Sequence, residues 1–163
     1  MIEMFVAAIT QDGQTHTPIV ILHDATRRRA LPIWIGLPEA KAILLALDAH
    51  KLARPMTHDL MLNMIVQMGY RVQKVEINEL SKDTYFATIF LQLADRAGLD
   101  LTKSIDSRPS DAIALALRAK APIYVSAQVV ADGTHAIDSE KDEREAQEFK
   151  DFLSNVNASD FKS

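Results

Sequence analysis

An internal echo restricts the fold of this chain more than any other feature. At a constant offset of 70 positions, Ile19-Val20-Ile21 lies over Ile89-Phe90-Leu91, Leu31 lies over Leu101, and AILLAL at residues 42–47 matches AIALAL at 112–117. In each half the spacing of apolar residues passes from the two-residue period of strands to the 3.6-residue period of a helix. Two β-β-β-α units on one plan are expected. The rival reading is coincidence, because Ala- and Leu-rich helices resemble one another readily; a different strand order in the two halves would decide for it.

Local signals fill in the plan. Strand patterns cover residues 2–11, 17–23 and 30–35, separated by turns at Asp12-Gly13 and at residues 24–29, in the order of a simple meander. Helical spacing follows over residues 38–49, with Pro38 suited to a first turn. A second helix is expected over 57–68, with Thr57 as N-cap, Asp59 in the first turn and Gly69 as the stop. Strand patterns return at residues 70–77, 85–93 and 99–105, a helix at 109–117, and a last short strand at 123–125. The fold class is therefore α+β, with mixed or antiparallel sheets and helices packed on them.

Charge divides the chain in two. Residues 1–137 hold fourteen acids and fourteen bases, whereas residues 138–163 hold eight acids and four bases, so the whole net charge of −4 lies in the tail. A domain at 1–135 followed by an acidic C-terminal helix and tail at 136–163 is expected, with only a thin apolar edge of Phe149, Phe152 and Leu153 and with its loss tolerated. The neutral body lacks the broad basic surface of a non-enzymatic nucleic-acid binder. The absence of cysteine removes disulfides, thiolate nucleophiles and cysteine-bound zinc. No window reaches the roughly 20 apolar residues of a membrane span, and Glu3 sits where a secretory signal would carry positive charge. A cytoplasmic protein without a membrane anchor is expected.

Three polar clusters could carry chemistry. Glu39 stands where a buried strand runs into a helix, either as a metal-binding carboxylate or as a simple complement to the helix dipole. His58 and Asp59 stand together at a helix start, as a proton-transfer pair or as cap and surface residues. The densest cluster is Asp106-Ser107-Arg108-Pro109-Ser110-Asp111. Its carboxylates could hold a hard divalent cation and its guanidinium could grip a phosphate; an Arg–Asp ion pair with helix caps is the competing reading. Trp34, the only tryptophan, reads as core rather than as a base-stacking platform, and Arg27-Arg28-Arg29 reads as a solvated turn. No glycine-rich phosphate loop, nucleophile elbow or HExxH pair is present.

Taken together, LPIWIGLPEAKAILLAL, RPMTHDLM and IDSRPSDAIALALRAKAPIYV resemble the hallmark segments of the bifunctional nuclease family over about residues 1–135. The resemblance implies an α+β domain that self-associates, as a dimer for instance, and degrades both DNA and RNA with Mg2+ or Mn2+. On this reading Glu39, Asp106 and Asp111 hold the metal, Arg108 meets the phosphate, His58, oriented by Asp59, moves protons, and Ser110 is a further catalytic candidate. Two other classes stay open: a non-catalytic regulatory or protein-interaction module, and a phosphate or nucleotide sensor using the helix starts near Thr57 and Ser110.

Overall fold

Antiparallel pairing joins β1 (Ile2–Gln11), β2 (Pro18–Asp24) and β3 (Arg29–Trp34) into the expected meander, which runs into helix α1 (Leu37–Leu47). After α2 (Thr57–Gln67), a second meander of β4 (Tyr70–Ser81), β5 (Thr84–Leu93) and β6 (Lys103–Ser107) runs into α3 (Pro109–Ala119). Then come β7 (Ile123–Val125), α4 (Ala127–Gly133), the two-residue β8 (His135–Ala136) and α5 (Ser139–Asn155). The computed structural model describes residues 1–50, 52–94, 102–133, 135–136 and 139–155. Leu99, Asp100 and Leu101 of the expected sixth strand lie outside the described residues.

The eight strands found among the described residues form one mixed sheet in the order β6-β5-β4-β7-β1-β2-β3-β8. Strand order within the two meanders is therefore the same, the result that favours duplication over coincidence. β7 runs antiparallel to β1 and parallel to β4, so the units oppose each other across it, as a two-fold rotation would place them. The 70-residue offset does not carry through to the helices. Their N-caps, Gly36 and Arg108, lie 72 positions apart, which makes Glu39 and Asp111 both the third residue of a helix.

β-Bulges at Val6/Ala8, Val72/Lys74 and Ile77/Glu79 increase the twist of the long strands. The sheet coils far enough for its two wings to meet: the Tyr85 hydroxyl on β5 lies 3.5 Å from the Pro32 carbonyl on β3. Helix α3 fills the space between. Seven of its residues are buried, and it packs on α1, α2, β4 and β5.

Two expectations need correction. Helix α5 is more than a thin edge, because Phe149 is 1% exposed within the main core and α5 packs along β1. The N-cap of α2 is Met56, not Thr57; Asp59, third in the helix, accepts a bond from the Met56 N–H at 2.8 Å. Gly69 does end the helix, with φ +80°. On α2, Ile65 is core and Met61 half-buried, whereas Leu60 and Met68 are exposed.

Candidate functional site

The coiling of the sheet brings the start of α3 against the start of α1. Arg108, the cap residue of α3, donates from Nε to Asp111 Oδ2 at 2.7 Å and from Nη2 to Asp111 Oδ1 at 3.1 Å. From Nη1 it donates to Glu39 Oε1 at 2.9 Å. A guanidinium carries five N–H donors, so two are left without a protein acceptor among the described residues. The Arg108 side chain is 63% exposed. Bonds from both carboxylates, Asp111 first, raise its pKa and hold it protonated.

His58 is 8% exposed and approaches the same cluster from α2, with Nε2 3.0 Å from Asp111 Oδ1. An ionised carboxylate can only accept, so Nε2 carries the proton in this bond. Burial alone would raise the Asp111 pKa; the bonds and charges of Arg108 and His58 outweigh it and lower the value. Asp59 does not orient His58. It pairs with Arg118 instead, Nε to Oδ1 at 2.6 Å, and Arg118 also donates to the carbonyls of Ala42 and Ala114. The Met56 N–H, ahead of its other partners, lowers the Asp59 pKa. Two guanidinium hubs, Arg108 and Arg118, thus fasten α1, α2 and α3 together.

A cleft of about 360 Å³ opens beside Arg108, lined also by Glu39, Ser110, Trp34, Tyr85 and Asp83. Ser110 is buried in that lining. The glycine cap of α1 shapes the Glu39 wall: a Cβ on Gly36 would collide with Glu39 Oε2, so the carboxylate folds back over its own cap only because that cap is glycine. A larger cavity of about 530 Å³ lies between β1, β2 and α5 and contains none of the candidate site residues.

Trp34 corrects the sequence reading. It lies at the end of β3, 51% exposed on the cleft wall, and its indole N–H points to Asp12 Oδ2 at 3.4 Å. The alternation of β3 could have revealed it, since Leu31 and Ile33 take the core face and leave Trp34 on the other. The Arg27–Arg28–Arg29 turn is exposed and locally bonded, Arg28 to Asp24 and Thr26.

The proposed metal set is not assembled. Asp106 is exposed on the edge strand β6, its Cα paired with Thr88, while Glu39 and both oxygens of Asp111 already accept N–H donors. Among the described residues no group of three or more His, Asp and Glu side chains could hold a metal ion. A hard divalent cation takes about six or more oxygen ligands. The residues present do not fit a preformed Mg2+ or Mn2+ site, because the cation that neutralises these carboxylates is Arg108.

The profile of the bifunctional nuclease domain matches residues 20–138, a span that takes in both helix starts and the cleft between them. The chain belongs to the bifunctional nuclease family. An uncharacterized protein of Mycobacterium tuberculosis is 35% identical over 99% of this chain and 98% of its own length. Bifunctional nuclease 1 of Arabidopsis thaliana is 32% identical over 80% of this chain but only 40% of its own length. Bifunctional nuclease 2 of Oryza sativa subsp. japonica is 36% identical over 74% of this chain and 37% of its own length. The family match ends at residue 138, before α5, yet α5 supplies Phe149 to the core. No helix among the described residues is long and apolar enough to cross a membrane.

Proposed function

We propose that the chain is a nuclease that hydrolyses phosphodiester bonds of DNA and RNA in the cleft beside Arg108. The carrying observation is that a guanidinium from the second unit and a carboxylate from the first meet in the cleft lining, with two guanidinium N–H groups to spare among the described residues. A phosphodiester carries one negative charge and two free oxygens, which can accept from the two spare N–H donors, one on each terminal nitrogen. Glu39 is the carboxylate beside that phosphate and takes the role of general base toward the attacking oxygen. His58 is not among the cleft-lining residues; it acts through Asp111, as a positioning residue that fixes the guanidinium plane.

The family resemblance implies Mg2+ or Mn2+, and self-association. Because the donors fit no preformed ion site, phosphate binding and proton transfer are assigned to the chain's own groups. The test incubates purified full-length protein with labelled DNA and RNA in Mg2+, Mn2+ or chelator. Wild type should cleave, Arg108→Ala should bind more weakly and lose cleavage, and Glu39→Gln should lose cleavage while keeping binding. Equal cleavage by all three proteins would assign the activity to a contaminant or another site.

One observation favours a second reading. Both Asp111 oxygens and one Glu39 oxygen are engaged, so the cluster could serve as a phosphate-binding strut without turnover. Tight binding of oligonucleotide with no product under any metal condition would select that reading.

A further inference from the structure

The cleft presents an aromatic face and little positive charge, and the combination says what kind of strand it can take. Among the described residues Arg108 is the only basic one lining it, and Glu39 and Asp83 line it too. Phosphate attraction alone is therefore weak, because affinity for a polyanion grows with the number of cation–phosphate contacts. Stacking has to supply the rest.

Trp34 is built for that. Its edge is tied by Asp12, whose other oxygen accepts the N–H groups of Gln14 and Thr15 at 2.9 Å each, so the β1–β2 turn holds the ring while half its surface stays open. A ring oriented in advance loses little freedom when a base lies on it. The two-residue hairpin of Lys82 and Asp83 has φ of 48° and 60°, a left-handed turn formed without glycine, and Asp83 and Thr84 line the same cleft as Trp34.

We infer that the cleft takes single-stranded nucleic acid, one unpaired base stacked on Trp34 while the adjoining phosphate meets Arg108. Duplex is excluded because its bases show no free face to a ring, and a cleft of about 360 Å³ is the size of one nucleotide-like ligand, not of a double helix. The inference rests on the nuclease reading only in setting the phosphate on Arg108. Asp12 is a positioning residue.

The chain has a single tryptophan, so emission excited selectively at its red edge, beyond the absorption of the three tyrosines, reports this site alone. Titration of the full chain with a short single-stranded oligothymidylate, in chelator, should quench that emission saturably; the same strand annealed to its complement should bind at least about tenfold more weakly. With a labelled strand read by anisotropy, Trp34→Ala should weaken binding by roughly 5- to 150-fold, the equivalent of one base stacked on an aromatic ring. Trp34→Phe should recover most of the loss. Asp12→Asn should weaken binding by a smaller factor with unchanged circular dichroism.

Equal affinity for duplex overturns the inference, and so does unaltered binding by a folded Trp34→Ala. Quenching by thymidine monophosphate as tight as by the oligomer also overturns it, by making the cleft a mononucleotide pocket. The two proposals fail separately. Quenching without cleavage once Mg2+ or Mn2+ is restored removes the nuclease reading alone, whereas cleavage indifferent to Trp34 removes only the single-strand inference.

Discussion

Gly36 and Arg108 occupy the same place in two helices that begin alike, each capping a first turn with proline and a third-position carboxylate. In the first unit the cap is glycine, and Glu39 folds back over the space a side chain would fill. In the second the cap is arginine, which reaches both carboxylates. The two units share one local plan and differ at the cap, and the difference shapes the cleft: one unit supplies the room, the other the charge. The units also differ in their cover. Helix α3 is buried along seven residues, whereas α1 buries only Ala40 and Ile43 and leaves β1 to be covered by α5.

The difference in cover gives the largest expected effect. Phe149→Ala removes the anchor of α5 from the first unit and should cost about 3–5 kcal/mol in urea unfolding, as for other fully buried phenylalanines. A cost below about 1 kcal/mol, within the range of ordinary surface substitutions, would return α5 to the peripheral role its sequence suggests. Next is the fastening of the helices. Arg118 is 9% exposed and Asp59 is its charged partner, so Asp59→Ala should cost about 3 kcal/mol by stranding a buried cation. Asp106→Ala, on the exposed edge of the second unit, should change stability by less than about 0.5 kcal/mol.

The cap comparison is sharpened by Gly36→Ala. The backbone there has φ −78°, which alanine adopts freely, so the fold should hold to within about 1 kcal/mol. Glu39 must swing away, and cleavage should fall while binding persists; an unchanged rate would show that the folded-back carboxylate is not needed. The smallest effect is in the acid limb of stability. Asp111 binds its proton less readily when folded than when unfolded, so its contribution is full above the ordinary carboxylate pKa of about 3.9 and is lost as pH falls through the lower folded value. Asp111→Asn should flatten that part of the stability–pH curve, and an unaltered acid limb would place its origin elsewhere.

Much of the fold is legible from local rules. The meanders, the three main helices and β7 follow from period and turn chemistry, most ends displaced by a residue or two, although β4 runs four residues past its expected end. The Lys82-Asp83 turn is silent because neither residue advertises a left-handed backbone as glycine or asparagine does. Trp34 misleads because a tryptophan is usually core, and only strand parity puts it on the outer face. His58 misleads because sequence adjacency suggests Asp59 as its partner, while the helix turns that neighbour toward Arg118.

By itself, then, the sequence determined the elements, their duplicated order and the family, since these depend on neighbours a few positions apart. Which charges meet was decided by the coiling of the sheet and the packing of α3. Glu39 and Arg108 are 69 residues apart and His58 and Asp111 are 53 apart, and only long-range packing can bring such pairs within a hydrogen bond while leaving Asp106, two residues from Arg108, outside the cluster.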